Sequence, residues 1–251
     1  MTDTTQHDLS AHVATVLPHE RGLYWNGQWH APSGAQAMTS INPSTGEPLG
    51  DVLFGGPAEV DAAVRAARTA LPAWARTPPL ERARRLREAA QRLREHSADL
   101  ALIDAADCGN PVRAMMMDAE VAATQLEYFA GLVLELKGET IPTANGSLNY
   151  TVREPIGVVV RICAFNHPFM FAAGKIAAPL AAGNTVIVKP PEQAPLSTIR
   201  LMELLEGVFP PGVLNCVVGG RDTGAALASH PDVAAVGIIG AVSGTLIPVM
   251  N

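Results

Sequence analysis

The stretch Gly157–Lys189, GVVVRICAFNHPFMFAAGKIAAPLAAGNTVIVK, decides the fold. Val158–Ile162 and Thr185–Val188 are short, almost wholly apolar and rich in β-branched residues, the signature of strands buried on both faces. The segment between them reads as a helix from Phe169 to Ala182. The alternation continues downstream. It predicts a helix over Leu196–Phe209, a strand over Val213–Val218, a short helix over Thr223–Ser229 and a last strand over Ala235–Ile239. Right-handed crossovers between such strands give an α/β, doubly wound, Rossmann-like parallel sheet.

Upstream of Gly157 the period is helical. Gly22–Trp29, GLYWNGQW, predicts a short hairpin on its Asn26-Gly27 pair. Ile41–Pro48 is dense in turn formers and reads as a loop. From Pro57, Val60, Val64, Leu71 and Trp74 recur at near-helical spacing. Pro78 and Pro79 open a second helix, with Leu80, Ala83, Leu86, Ala90 and Leu93 on one stripe. Gly109 and Pro111 punctuate, and a third helix is expected over Val112–Lys137. Its Met115-Met116-Met117 run reads as core packing. Leu148, Tyr150 and Val152 alternate with polar residues, as in a strand with two distinct faces.

Composition narrows the function. Eighteen basic against 24 acidic residues give a net charge of −6, which disfavours an electrostatic nucleic-acid or membrane-surface binder. Nine of the 15 arginines fall between Arg65 and Arg94, interleaved with alanine and leucine, and read as the solvated face of helices. Cys108, Cys163 and Cys216 are too few and too scattered for a disulfide framework or a zinc site, and no metal site is expected. A reducing, cytoplasmic setting fits. Residues 1–20 read as a flexible leader without the apolar core of a signal peptide. Residues 162–182, the least polar stretch, are broken by Asn166, His167, Pro168, Lys175 and Pro179, which argues against a membrane span.

A doubly wound sheet binds ligands at the carboxyl ends of its strands, so the residues there are the candidates. No G-x-G-x-x-G fingerprint is present. After the first strand comes Cys163–Phe169, in which Asn166 reads either as the cap of the helix that Pro168 opens or as an amide donor to a developing oxyanion. His167 reads as a turn residue. After the second strand Pro190 and Pro191 stiffen the loop that holds Lys189 and Glu192. The pair suits a ribose and its hydroxyls, or is a surface ion pair. After the third strand Gly220 and Gly224 allow a flat ligand close to the backbone, and Asp222 reads as a helix cap. After the last strand Gly240-Ala241 can bring backbone N–H groups to a phosphate.

Taken in order, INPSTGE (41–47), REPIGVV (153–159), FNHP (165–168), GKIAAPLAAGNTVIVKPPEQAP (174–195) and PPGVLNCVVGG (210–220) resemble the NAD(P)-dependent aldehyde dehydrogenase superfamily. The likeness runs from Gly22 to Ser243. It implies that Asn166 is the oxyanion-hole asparagine and that Lys175 is a helix lysine close to the active site. It implies that Ile162, Cys163, Ala164 and Phe165 run along the cofactor, and that Lys189 and Glu192 hold the adenosine ribose. Gly220 and Gly224 then lie beside the adenine, and Gly240 and Ala241 near the pyrophosphate and nicotinamide. A glutamate at 192 favours NAD over NADP, because it repels a 2′-phosphate. Phe165 stands where the family carries tryptophan. Ile238, Ile239 and Ala241 replace three residues of its F-T-G-S segment.

The resemblance also implies a layout. Residues 21–145 form a helical part of the cofactor-binding domain and 146–156 an oligomerisation arm, centred on Leu148–Arg153. Residues 157–243 form the Rossmann-like part, and 244–251 depart from the pattern. The family's chemistry needs a cysteine nucleophile and a glutamate base. The resemblance places both outside this chain, so the catalytic domain is absent and the fold incomplete. Cys163 has no histidine or lysine placed by spacing to activate it. The expectation is an aldehyde oxidoreductase in truncated form, inactive alone, whose whole relatives turn aldehydes into carboxylic acids. The alternative is a non-catalytic fragment that pairs with itself or with a full-length homologue through the arm.

Overall fold

The computed structural model describes residues 12–32 and 35–240. In chain order its elements are β1 (Leu23–Trp25), β2 (Gln28–His30), β3 (Gln36–Ile41), β4 (Pro48–Phe54), α1 (Pro57–Ala75), α2 (Pro79–Glu95), α3 (Ser97–Cys108), α4 (Val112–Leu132), β5 (Thr140–Ile141), β6 (Asn149–Tyr150), β7 (Val158–Ile162), α5 (Pro168–Lys175), α6 (Ala177–Ala181), β8 (Thr185–Lys189), α7 (Leu196–Leu204), β9 (Leu214–Cys216), α8 (Arg221–Ser229) and β10 (Val233–Ile238). The leader before residue 12, Ala241 and the segment 244–251 lie outside the described residues.

The main sheet has the order β10-β7-β8-β9-β1-β2. β10, β7, β8 and β9 are parallel, and the β1–β2 hairpin adds antiparallel through Tyr24 and Cys216. The chain steps outward from β7 to β8 to β9, then returns to lay β10 on the other side of β7. Right-handed crossovers therefore put α5, α6 and α7 on one face and α8 on the other. α1 packs with α8 over the strands, while α2, α3 and α4 back the opposite layer. β8 is buried along its whole length because both faces are covered. Each Val or Ile buried there contributes about 1.5–3 kcal/mol. The reversal between β7 and β10 makes a topological switch point, and the carboxyl ends of those strands flank it.

Local chemistry explains the boundaries. In the first hairpin Asn26 has φ 53° and Gly27 φ 71°, the doubly positive turn that an Asn-Gly pair favours. Pro57 opens α1 and the Glu59 carboxylate accepts the Gly56 N–H at 2.8 Å. Gly109 ends α3 with φ 81°. Among the described residues no helix is long and apolar enough to cross a membrane.

Several expectations are corrected. The single helix expected over 169–182 is two, α5 and α6, with Ile176 between them. Pro179 has no N–H for the Lys175 carbonyl four residues back, and its ring crowds that carbonyl. The third helix stops at Leu132, just after Gly131, not at Lys137. The loop at 41–48 is the turn of a hairpin whose strands, β3 and β4, extend well beyond it, closed by Asn42 N–H to Glu47 O at 2.9 Å. The helix after β8 ends at Leu204, and β9 is shorter than its apolar run. Of the methionine run only Met115 is core; Met116 and Met117 are exposed, as is Leu80. The strand read at Leu148–Arg153 is only Asn149–Tyr150, paired with β5, and it buries neither face.

The arginine-rich helices are only partly a solvated face. Arg65, Arg84 and Arg94 pair on the surface with Asp61, Glu81 and Glu127. Arg82, however, is buried and donates its Nε–H to the Ala181 carbonyl at 3.0 Å, while Arg92 donates to the Leu204 carbonyl at 2.9 Å. These two arginines close the carboxyl ends of α6 and α7, where free carbonyls and the helix dipole favour a cation.

Candidate functional site

Five of the expected cofactor residues converge at adjoining strand ends. β7 ends on Ile162 and β8 on Lys189, and the two are register partners. α8 begins at Arg221 behind its cap, Gly220, and carries Gly224 in its first turn. A methyl group built on Gly224 would rest 3.6 Å from Lys189 Cε and 4.0 Å from Ile162 Cδ1. One built on Gly220 would strike Glu192 Oε2 at 2.7 Å. The two glycines thus leave open the space over Lys189 and Glu192, a cradle that side chains would fill.

Lys189 is buried, and its Nζ donates to the Pro190 carbonyl at 3.1 Å. Burial lowers its pKa, and Glu192 opposes that shift. An ammonium has three N–H donors, so two remain for hydroxyls of a ligand. Lys189 and Glu192 are therefore no surface ion pair: the lysine is inside, and its recorded hydrogen bond is to the Pro190 carbonyl. Asp222 does not cap α8; Gly220 does, and Asp222 sits exposed in the first turn, where a negative charge favours the helix N-terminus.

Gly219, which the sequence did not single out, is fixed by packing. An added Cβ would lie 2.0 Å from Thr223 Oγ1, and that hydroxyl donates to the Gly55 carbonyl at 2.6 Å. Gly219→Ala is expected to destabilise the chain by about 1–3 kcal/mol, the usual cost of overpacking. Chemical denaturation checks it, and unchanged stability would show that Thr223 yields freely.

The loop after β7 carries the other group. Ala164 is half-buried, and Phe165 and Asn166 are exposed. Asn166 is not a cap. His167 holds the cap position of α5 with Pro168 at its first turn. The Asn166 backbone carbonyl accepts from Asn110 Nδ2 at 2.6 Å, and among the described residues its own carboxamide has no partner. His167 is more than a turn residue: its Nδ1 lies 2.7 Å from Asp118 Oδ2 on α4. Lys175 is exposed at the last turn of α5 and lines a cavity with Ile162 and Cys163, apart from Asn166. Gly240 is exposed with nothing within 4 Å of an added Cβ. Ala241 lies outside the described residues.

Besides Asp118, two further buried carboxylates were missed. The Asp104 carboxylate accepts the Phe169 N–H of α5 at 3.2 Å, and Asp107 the Leu196 N–H of α7 at 2.8 Å. Each satisfies a free donor at the start of a helix from outside that helix. Their signal in the sequence is an acid within the apolar stripe of α3, beside Leu100 and Ile103. Burial pushes Asp104 up to about 7 and Asp107 up to about 6. Hydrogen bonds to each carboxylate oppose the shift without cancelling it.

None of the three cysteines is prepared to react. Burial pushes Cys163 up to about 12, Cys108 up to about 11, and Cys216 higher still. A thiol that stays protonated at neutral pH is a poor nucleophile.

Relatives with the same layout are known. The curated aldehyde dehydrogenase tropH of Talaromyces stipitatus is 49% identical over 234 residues, 92% of this chain but 45% of that protein. The fluoroacetaldehyde dehydrogenase of Streptantibioticus cattleyicolor is 39% identical over 85% of this chain and 43% of its own length. The betaine aldehyde dehydrogenase of Staphylococcus aureus, solved in complex with NAD+, superposes with a TM-score of 0.91 at 30% identity, over 95% of this chain and 49% of that one. The chain spans about half the length of the curated relatives it matches, so its fold is an incomplete version of theirs. Residues 29–245 match the aldehyde dehydrogenase family, and the chain belongs to it.

Proposed function

We propose that this chain binds NAD at the ends of β7 and β8 and is the cofactor-holding part of a protein that oxidises an aldehyde to a carboxylic acid. The observation that carries the reading is the meeting of Lys189, Glu192, Gly220 and Gly224 around one open space. Lys189 donates to the ribose hydroxyls and Glu192 accepts from them. The glycines let the flat adenine lie against the backbone. Bound there, the dinucleotide supplies the hydride acceptor. Asn166, with its carboxamide free, is the donor to the substrate oxyanion. One such donor is worth about 10²–10³ in rate.

Aldehyde oxidation needs a thiolate, and these 251 residues hold no activated one. Purified chain is therefore inactive with aldehyde and NAD+, and the nucleophile comes from outside these residues. Steady turnover that disappears in Cys163→Ala would overturn this. Free thiols at all three cysteines fit a cytoplasmic setting.

The cofactor choice is tested by titration. NAD+ is expected to bind more tightly than NADP+, because the Glu192 carboxylate would face a 2′-phosphate. Glu192→Gln should narrow that preference about tenfold, mainly by strengthening NADP+ binding, since one like-charge contact removed is worth about 1.4 kcal/mol or more. An unaltered preference would remove Glu192 from the reading.

A second reading has one observation in its favour. On and beside the β5–β6 hairpin, Ile141, Leu148, Tyr150, Val152 and Ile156 are all exposed, and a two-stranded hairpin is not stable by itself. As a pairing arm it would join this chain to a second copy or to a longer homologue. Co-purification with such a partner, lost in Tyr150→Asp and without cofactor affinity, would favour it.

A further inference from the structure

Arg161 has no part in the site above. It precedes Ile162 in β7, so the two side chains leave opposite faces of the sheet. Ile162 reaches toward Gly224, whereas Arg161 lies across Gly237 of β10, where even a methyl group would collide with its guanidinium. Arg161 Nε is buried and makes no hydrogen bond. The side chain lines a cavity of about 350 Å³ on the α4–α5 side of the switch point, and a smaller one of about 230 Å³ along the β7–β10 edge. No Asp or Glu among the described residues lines either cavity. A guanidinium cannot shed its proton inside a protein, and among the described residues no carboxylate pairs with this half-buried one, which leaves it available to an anion.

The larger cavity has the other features of a small-molecule site. Its volume lies at the lower end of the range for such sites. Phe129, Ile162, Ile238 and Ile239 give it apolar walls, and Gln125 and Lys175 add two polar groups. Lys175 is exposed and stands at the rim. Gly174 keeps the wall thin, since a Cβ there would meet Gln125 Oε1 at 2.3 Å. A planar guanidinium matches a carboxylate with two parallel hydrogen bonds, and flat apolar walls match a flat body.

We propose that this cavity binds a small monocarboxylate with a flat apolar body, held by the Arg161 guanidinium and assisted by Lys175 at the rim. The cavity shares Ile162, Cys163 and Lys175 with the residues that the resemblance assigns to the cofactor and the active site. Its anion-binding group, Arg161, is not one of them, and the test below uses no NAD, so its failure and that of the NAD reading are distinguishable. The probes are benzoate, its neutral analogue benzamide, and sulfate, titrated calorimetrically into the 251-residue chain. Benzoate should bind at least tenfold more tightly than benzamide or sulfate. Arg161→Met keeps an apolar stem, removes the charge, and should erase the preference for benzoate over benzamide. Without ligand this variant should melt at or above the parent, because a half-buried charge with no acidic partner has gone, and benzoate should raise the melting temperature of the parent alone. Ala178→Phe fills the cavity from its other wall with Arg161 intact and should also abolish binding. This second variant keeps the test open if Arg161→Met does not fold. Equal binding of benzoate and benzamide, sulfate binding as tight as benzoate, or benzoate binding that survives either folded variant would overturn the proposal.

Discussion

Raising the pH from about 4 to about 7 is expected to destabilise this chain, the reverse of ordinary acid denaturation. The cause is Asp104. Its ordinary pKa is 3.8, and burial raises it to about 7 in the folded chain. Ser197 lies beside it and favours the charged form, yet neither the Ser197 hydroxyl nor Asp104 Oδ1 completes a hydrogen bond. Between the two pKa values the folded chain holds a proton that the unfolded chain has lost. Stability rises with pH only where the unfolded state binds more protons, so here it falls, by about 1.4 kcal/mol per pH unit. Over the Asp104 window this reaches on the order of 4 kcal/mol. Asp107, raised to about 6, adds a slope of the same sign that ends one unit earlier. Above pH 7 both carboxylates are ionised in either state and the slope vanishes.

Opposing groups are weak. Hydrogen bonds to Arg84 and Arg94 lower the pKa values of Glu81, Glu120 and Glu127, and their contribution is lost only as the pH falls toward and below 4. All three lie at the surface, where solvent screens the pairs. Urea unfolding at half-unit steps from pH 4.5 to 7.5 measures the slope directly. Asp104→Asn keeps an acceptor for the Phe169 N–H and cannot ionise, so the slope between pH 6 and 7 should disappear. Stability that rises through this window, or a slope that survives in Asp104→Asn, would show that the carboxylate is not held protonated.

What the sequence showed and hid follows from range. β7 and β8 were legible because each is a run of mostly β-branched residues, broken only by Arg161 in β7 and ending on Lys189 in β8, and strands covered on both faces demand such a run. The Asn26-Gly27 turn was legible because its chemistry is local. β3 and β4 were not, since their residues are mixed and half-exposed and only the turn between them carries a signal. The same divide holds in the site. Lys189, Glu192, Gly220 and Gly224 stand at strand ends, so topology alone brings them near one another. Asp104, Asp107 and Asp118 act on α5, α7 and His167, distant in sequence, and no spacing rule could pair them. Arg82 was misread for the same reason: in sequence it looks like its surface neighbours, and only the fold brings the Ala181 carbonyl to it.

Replacing Lys189 is expected to have the largest effect on the cofactor. Lys189→Met keeps the buried stem and removes the ammonium. A hydrogen bond from a charged donor contributes about 1.5–3 kcal/mol, so NAD+ binding should weaken about ten- to a hundredfold. The change relieves the chain of a buried charge, so thermal stability should hold or rise, and the loss cannot be ascribed to unfolding. Gly224 tests the same space from the other side. Gly224→Ala places a methyl group at ordinary contact distance, 3.6 Å from Lys189 Cε, and should cost little. Gly224→Leu extends over the lysine and should weaken binding as much as Lys189→Met does. If both act by closing one site, Lys189→Met combined with Gly224→Leu loses no more than either alone, because contacting residues are not additive. Losses that multiplied would mean two separate actions, and undiminished NAD+ binding in both single variants would move the cofactor away from β8 altogether.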